Sequence, residues 1–408
     1  PDKDGIWNND FYGGDLKGII EKLDYIQSLG IDILYLSPIV YSQSTHRYDA
    51  SDYEVVDPYA GTMDDLEELC KEAHKRGMKV VLDAVFNHTG SDSKYFNKFK
   101  NPEWNEGKGA FNDEKSPYVD FYRRHFDHNT GRMEFDYWWG FDNLPVCNGQ
   151  GKEWQNYIYG ENGVIDKWFS RGIDGLRLDV ADELTDEFIE GIRTAVHRNK
   201  EDGFVLGEVW ENPMTKDNRQ YLKKGTGLDS VMNYYFVAPL IKYFRYGEVD
   251  YLAHRIREIR NLYPNDAINA GMNFTSTHDI SRAINIFSTY DFNEYGEWAW
   301  NLLKDNIDWC KNFKLTPSEY EKGKEIYKAY IYTLTFMPGI LSIFYGDEIG
   351  LDGIGNLANR RRYPWNNKNI DLDLLNYFKY IGSIRKEESF LQEAELNYNI
   401  VMLNLSKF

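Results

Sequence analysis

The chain has 408 residues, 42% of them hydrophobic, and a formal net charge of −18. That length exceeds one small domain and fits an α/β barrel of about 250 residues with additions. The negative field excludes attraction to nucleic acid or an anionic membrane surface, and three separate cysteines, Cys70, Cys147 and Cys310, exclude a disulfide scaffold or a thiolate zinc site.

The first helix is expected at about 15–29, preceded only by "PDKDGIWNNDFYGG", whose Asp, Asn and Gly favour turns over a strand. Three stretches then share one grammar: "YIQSLGIDILYLSPI" (25–39), "AHKRGMKVVLDAVFNH" (73–88) and "WFSRGIDGLRLDV" (168–180). In each, an amphipathic helix ends at a glycine (Gly30, Gly77, Gly172) suited to the left-handed conformation, and a strand of Ile, Leu and Val follows. Residues 88–150 are too long for an ordinary loop, and their Asn, Asp, Gly, Tyr and Trp content predicts an inserted subdomain. "GFVLGEVW" (203–210), "LDSVMNY" (228–234), "AGMNFTSTHD" (270–279) and "GILSIFYGDE" (339–348) supply further strands. The closing "AELNYNIVMLNLSKF" reads as the start of a β domain.

Strands alternating with helices predict a parallel sheet. The fold class is therefore α/β, a (β/α)8 TIM barrel lacking its first strand, with residues 1–14 as an irregular arm. The expected domains are barrel 1–87, insert 88–150, barrel 151–395 and the start of a C-terminal β domain at 396–408. No signal peptide or apolar run of membrane-spanning length occurs in the chain, and the compartment, cytoplasmic or secreted, stays open.

Chemistry in a barrel gathers at the C-terminal ends of its strands. Asp83, Asp179, Glu208 and Asp279 fall there, with His88 and His278 beside them. Arg177 and Asp179 are two residues apart and share a face, opposite Leu176 and Leu178, which predicts a charged pair at the barrel mouth. Converging carboxylates fit cleavage of a glycosidic bond, which needs one ionised nucleophile and one proton donor. Arg177 is expected to keep Asp179 ionised, and the apolar neighbours of Glu208, Val209 and Trp210, favour it as the donor. A hydrolytic zinc on Asp83, His88, His278 and Asp279 is the rival use, without HxH or HExxH spacing to support it. A phosphate site at "GIGN" (353–356) is a second rival, with no basic companion before it.

In order along the chain, "DAVFNH" (83–88), "GLRLDVADE" (175–183), "GEVW" (207–210) and "FTSTHD" (274–279) resemble the four signature regions of the alpha-amylase family, glycoside hydrolase family 13. "HRYDASDY" (46–53) and "YGDEIGL" (345–351) resemble further motifs of that family, while "NLPVCN" (143–148) matches only loosely. "FYGGDLKGI" and "DVADE" are most similar to the neopullulanase, cyclomaltodextrinase and maltogenic amylase group.

The resemblance implies a retaining hydrolase of α-glucosidic bonds, mainly α-1,4, acting on starch-type glucans, maltooligosaccharides, pullulan or cyclodextrins. A transglycosylase, an α-1,6-acting relative or a non-catalytic binding relative is the alternative. It also implies Asp179 as nucleophile, Glu208 as general acid/base and Asp279 as transition-state stabiliser. Tyr48 is implied to stack under the sugar, His88, Arg177 and His278 to bind its hydroxyls, and Asp83 and Asn87 to support the architecture. No cofactor is implied as required. Asn87 matches a position that often ligates calcium in amylases, but "VADE" stands where those enzymes often carry Lys-His.

Overall fold

The computed structural model describes residues 11, 13–288, 309–310, 312–356, 358–366, 370–388 and 391. The arm expected over 1–14, apart from Phe11, Gly13 and Gly14, and the β segment expected over 396–408 lie outside the described residues. The chain forms two compact units, one of residues 1–27, 31–208 and 223–229, the other of residues 28–30, 209–222 and 230–408. Among the described residues no helix is long and apolar enough to cross a membrane.

The first unit runs from helix α1 (Leu16–Ser28) to strand β1 (Ile33–Leu36), then through an antiparallel hairpin of β2 (Val40–Ser42) and β3 (Ala50–Val56). Helix α2 (Met63–Lys75) begins where two side chains cap each other. Thr62 Oγ1 accepts the Asp65 N–H at 3.1 Å, and Asp65 Oδ2 accepts the Thr62 N–H at 2.9 Å. Strand β4 (Lys79–Ala84) follows, and the long stretch after it carries a hairpin of β5 (Arg124–Asp127) and β6 (Arg132–Phe135). Helices α3 (Lys152–Tyr159) and α4 (Val164–Phe169), strand β7 (Gly175–Leu178), helix α5 (Asp186–Asn199) and strand β8 (Phe204–Gly207) complete the regular elements of this unit.

Strands β1, β4, β7 and β8 lie side by side and parallel. Leu34 pairs with Val80, Leu82 with Leu176, and Leu176 with Val205, and all five are buried. Fully burying such a side chain contributes roughly 1.5–3 kcal/mol, so this apolar face drives the sheet together. On the other face the same register pairs Tyr35 with Val81, Asp83 with Arg177, and Arg177 with Leu206. One face of a single sheet is apolar, and the other carries charge.

The second unit contains strand β9 (Ser230–Val231), helices α6 (Tyr234–Tyr246), α7 (Val249–Leu262) and α8 (Asn265–Asn269), strand β10 (Met272–Phe274) and helix α9 (Ala283–Phe287). Helix Pro317–Phe336, strand β11 (Ile340–Ser342) and helix Leu372–Glu387 follow. β10 and β11 are parallel, and Met232 bridges to Met272 in the same sense. A buried ion pair, Arg282 with Asp347 at 3.2 Å, anchors the loops, and Thr275 and Ser276 donate to the second Asp347 oxygen at 2.7 and 2.6 Å. The "GIGN" loop packs against this anchor: Gly353 N–H donates to Asn285 Oδ1 and Gly355 N–H to Ser281 Oγ, at 2.7 and 2.9 Å. Those amides are already bonded, which removes the phosphate reading.

Every strand expected from the alternation of residues is present, and the two hairpins are additions it did not announce. Gly30, Gly77 and Gly172 adopt φ of 78°, 71° and 97°, the left-handed conformation expected of them. Gly30 also meets a second glycine, because a Cβ on it would lie 2.6 Å from Gly382 Cα. A Cβ on Gly382 would lie 2.0 Å from the Leu29 carbonyl oxygen. Inside a helix, Gly to Ala ordinarily gains about 0.5–1 kcal/mol. Here Gly382→Ala is expected to lose about 2–3 kcal/mol through overpacking. Gly77→Ala, with nothing within 4 Å, should lose only about 1–2 kcal/mol through its backbone conformation. Urea unfolding of both variants checks this, and a Gly382→Ala protein as stable as the parent would contradict the close approach.

Candidate active site

Residues paired across a parallel ladder share a face, as do residues two apart along a strand. Starting from the pair Asp83–Arg177, this arithmetic adds Asp179, two residues beyond Arg177, and Glu208, two beyond Leu206. Tyr35, paired with Val81, joins the same face from β1. The sheet alone therefore brings a phenol, a guanidinium and three carboxylates together.

Their bonds are specific. Arg177 Nη1 donates to Asp83 Oδ1 and to Asp179 Oδ1, each at 2.8 Å. Its Nη2 lies 2.8 Å from Glu208 Oε2, which also accepts the Val180 N–H at 3.0 Å. Asp83 Oδ2 accepts the hydroxyls of Tyr35 and Tyr48 at 2.7 and 2.8 Å. Both oxygens of Asp83 are thus engaged, and its side chain is wholly buried, which suits support rather than reaction. Asp179 keeps 10% of its side chain exposed, and no described residue hydrogen-bonds its Oδ2.

Two expectations change. Arg177 has no exposed surface at all, so the cationic half of the expected charged pair is buried and offers no surface to solvent or substrate. Three carboxylates surround it, and that neutralisation lets a guanidinium sit out of water. Burial would lower its pKa, yet the charges of Asp83 and Glu208 raise it well above the ordinary value and keep it cationic. Nor does Arg177 alone set the state of Asp179. Burial pushes the Asp179 carboxyl well above its usual range against the pull of Arg177, and the charges of Glu208 and Asp83 push the same way. The apolar local sequence of Glu208 likewise concealed its ion pair with Arg177.

The turn after β7 holds strain. Val180 sits at φ 38° and ψ 51°, the left-handed region that a β-branched residue rarely enters. The conformation directs its N–H to Glu208, while Ala181 N–H bonds the Glu208 carbonyl at 3.1 Å and Glu208 N–H the Leu178 carbonyl at 3.0 Å.

His88 and Tyr48 extend the cluster. His88 Nε2 lies 3.0 Å from the Tyr48 carbonyl, which can only accept, so the proton is assigned to Nε2. The Trp138 ring stacks on His88 with centroids 5.0 Å apart at 21°. Asn87 is buried with Nδ2 3.4 Å from His88 Nδ1, and its backbone carbonyl accepts the Cys147 N–H at 2.8 Å. Among the described residues no three His, Cys, Asp or Glu side chains gather as a metal would require.

The second unit holds Asp279 and His278. His278 Nε2 is 2.9 Å from Asp279 Oδ2, and Arg360 Nη2 is 3.3 Å from Asp279 Oδ1. Arg360 Nε also donates to the His278 carbonyl at 3.0 Å. Arg360, Tyr35, Trp138 and the Val180 N–H were not singled out from sequence. Tyr35 alone left a signal, by sharing the strand parity that selected the charged face.

Burial pushes the His88 imidazole down to about 4 from 6.5. A base with a depressed folded pKa favours folding fully above 6.5, and that contribution is lost as pH falls toward 4 because the unfolded chain takes up the proton first. At about 1.36 kcal/mol per unit this amounts to roughly 3 kcal/mol. Asp49, raised by burial to about 6, titrates nearby with the opposite sign and is common to parent and variant. The stability difference between parent and His88→Gln should therefore shrink as pH falls from 6.5 to 4, read by urea unfolding across that range. A pH-independent difference would place a charged or solvated imidazole at this position.

Known proteins resemble the chain over most of its length. Residues 2–297 match the family described as Alpha amylase, catalytic domain. An amylopullulanase of Thermoanaerobacterium saccharolyticum is 34% identical over 96% of this chain and 30% of its own length. The intracellular maltogenic amylase of Bacillus subtilis is 31% identical over 96% of this chain and 58% of its own. The chain thus spans well under two thirds of these curated relatives. Among solved structures, the cyclic α-maltosyl-(1→6)-maltose hydrolase of Arthrobacter globiformis, in complex with its cyclic substrate, superposes with a TM-score of 0.76. The sequences are 26% identical there, over 97% of this chain and 80% of that one. The chain belongs to the alpha-amylase family, and its fold is that family's (β/α)8 barrel.

Proposed function

We propose that this chain is the catalytic domain of a retaining glycosidase that cleaves α-glucosidic bonds, mainly α-1,4, in starch-type glucans, maltooligosaccharides, pullulan or cyclodextrins. The observation that carries the reading is the shared guanidinium: Asp179 accepts a hydrogen bond from Nη1 of Arg177 and Glu208 is ion-paired with Nη2, each at 2.8 Å. Two carboxylates on adjacent nitrogens are held close. Retaining enzymes use a separation of about 5–5.5 Å, whereas inverting enzymes need about 6.5–9.5 Å to admit a water.

In the proposed cycle, Asp179 attacks the anomeric carbon through Oδ2 while Glu208 gives a proton to the leaving glycosidic oxygen. The bond to that oxygen breaks as the bond to Asp179 forms. Glu208, now ionised, takes a proton from water, whose oxygen displaces Asp179 and restores both carboxyl groups. Burial favours the protonated form of Asp179 in the free site, and attack requires its ionised form, with the proton delivered to the leaving oxygen carried by Glu208.

Asp279 is assigned the stabilisation of the oxocarbenium-like transition state on its motif. Its partners His278 and Arg360, one on each carboxylate oxygen, support that reading by orienting it. Tyr48 and His88 are assigned sugar contacts, with His278. Arg177 is reassigned from hydroxyl binding to positioning, because it has no exposed surface. Residues 88–150 are proposed as a subdomain inserted between barrel segments 1–87 and 151–395. The β5–β6 hairpin and the aromatic packing of Phe96 on Tyr122 and Phe135, at 4.8 and 4.9 Å, support a small core of their own.

Glu208→Gln should cut kcat on starch by about 10²–10⁴, the usual worth of one general acid–base group. An aryl α-glucoside with a good leaving group needs little protonation, so its first step should lose far less. Pre-steady-state release of the phenol measures that step, and equal losses on both substrates would remove Glu208 from the acid role.

A further inference from the structure

The "VADE" segment, which departs from the amylases' Lys-His, has a visible partner. Glu183 follows directly on the strained Val180 turn, and its Oε1 accepts the indole N–H groups of both Trp138 and Trp139, at 3.1 and 2.9 Å. Trp139 is 78% exposed, more than any other large apolar side chain of the described residues. It also has φ 50° and ψ 23°, a conformation uncommon outside glycine. Neither exposure nor strain serves folding, and such outliers persist where surrounding contacts hold them for another purpose.

The arrangement is continuous with the site. Trp138 stacks on His88 at 5.0 Å, Trp139 lies 5.6 Å from Trp138, and Phe141, 52% exposed, lies 6.2 Å from Trp138. An aromatic run therefore leads outward from His88 to solvent. With its N–H bonded to Glu183, the Trp139 indole has only its flat apolar face to offer. That face matches the C–H face of a pyranose ring, whose hydroxyls stay at the edge and in water.

We infer that Trp139, fixed by Glu183 and packed on Trp138, is a stacking platform for a glucosyl unit of a longer α-glucan, beyond the units held at the cleavage site. The inference rests on the proposed function and assigns to the site a preference for chain length.

The test compares the full chain with Trp139→Ala, Trp139→Phe and Glu183→Ala on maltoheptaose and maltotriose. Trp139→Ala should lose about three- to tenfold more kcat/KM on the longer substrate than on the shorter, through KM, which is the worth of one aromatic stack. Trp139→Phe should recover most of the difference, and Glu183→Ala should reproduce part of it by releasing the ring. Equal losses on both lengths, or none, overturn the platform. Loss of self-association in Trp139→Ala with unaltered length preference also overturns it, and gives the surface to a protein partner. If the parent turns over no α-glucan, the proposed function fails, and calorimetric titration with maltoheptaose decides the platform separately. Three- to tenfold weaker binding by Trp139→Ala then sustains it, and equal affinity overturns it.

Discussion

The structure depends on one buried cation. Arg177 sits wholly out of water among Asp83, Asp179 and Glu208, and each of the three is bound at 2.8 Å. A guanidinium and carboxylates taken from water lose several kcal/mol of hydration each, and only close, well-directed pairing offsets that loss. Breaking such a pair strands an uncompensated charge, at about 3–5 kcal/mol. The charged residues are thus tolerated as a set and not singly. This accounts for Asp83, which binds Arg177 with one oxygen and two tyrosine hydroxyls with the other. With both oxygens engaged, Asp83 fixes one nitrogen of Arg177, whose two nitrogens in turn hold Asp179 and Glu208.

Around this centre the backbone accepts strain where position matters. Val180 in the left-handed region costs on the order of 1–3 kcal/mol, and it places an N–H on the Glu208 carboxylate. The apolar face of the sheet supplies the stability that makes this affordable, with Leu176, Leu178 and Val205 fully buried. Stability and chemistry are therefore divided between two faces of the same four strands. The Val180 turn leads into Glu183, so the geometry at Glu208 and the orientation of Trp139 are set by residues three positions apart.

Much of this was legible in the residues. Leu and Val alternating with Arg177 and Asp179 marked a two-faced strand, and the carboxylates at strand ends marked its chemical end. What was not legible is which strand lies beside which, and in what register. Only the pairing of Asp83 with Arg177 turns the expected charged pair into a buried hub. Tyr35 looked like one more aromatic in a strand, because its partner Asp83 comes from the neighbouring strand. Arg360, one of three consecutive arginines, carried no local mark of its contact with Asp279. The apolar neighbours of Glu208 suggested a proton donor but gave no sign of its partner, an arginine one strand away.

The most direct measurement is to trap the bond that the geometry assigns to Asp179. A 5-fluoro-α-glucosyl fluoride forms its glycosyl-enzyme faster than water removes it, and mass spectrometry of proteolytic peptides then locates the sugar. The account predicts one fluoroglucosyl group on the peptide containing Asp179, fragmenting to that residue. The label on Asp83, Glu208 or Asp279, or an unlabelled chain that still turns over α-glucans, would contradict it.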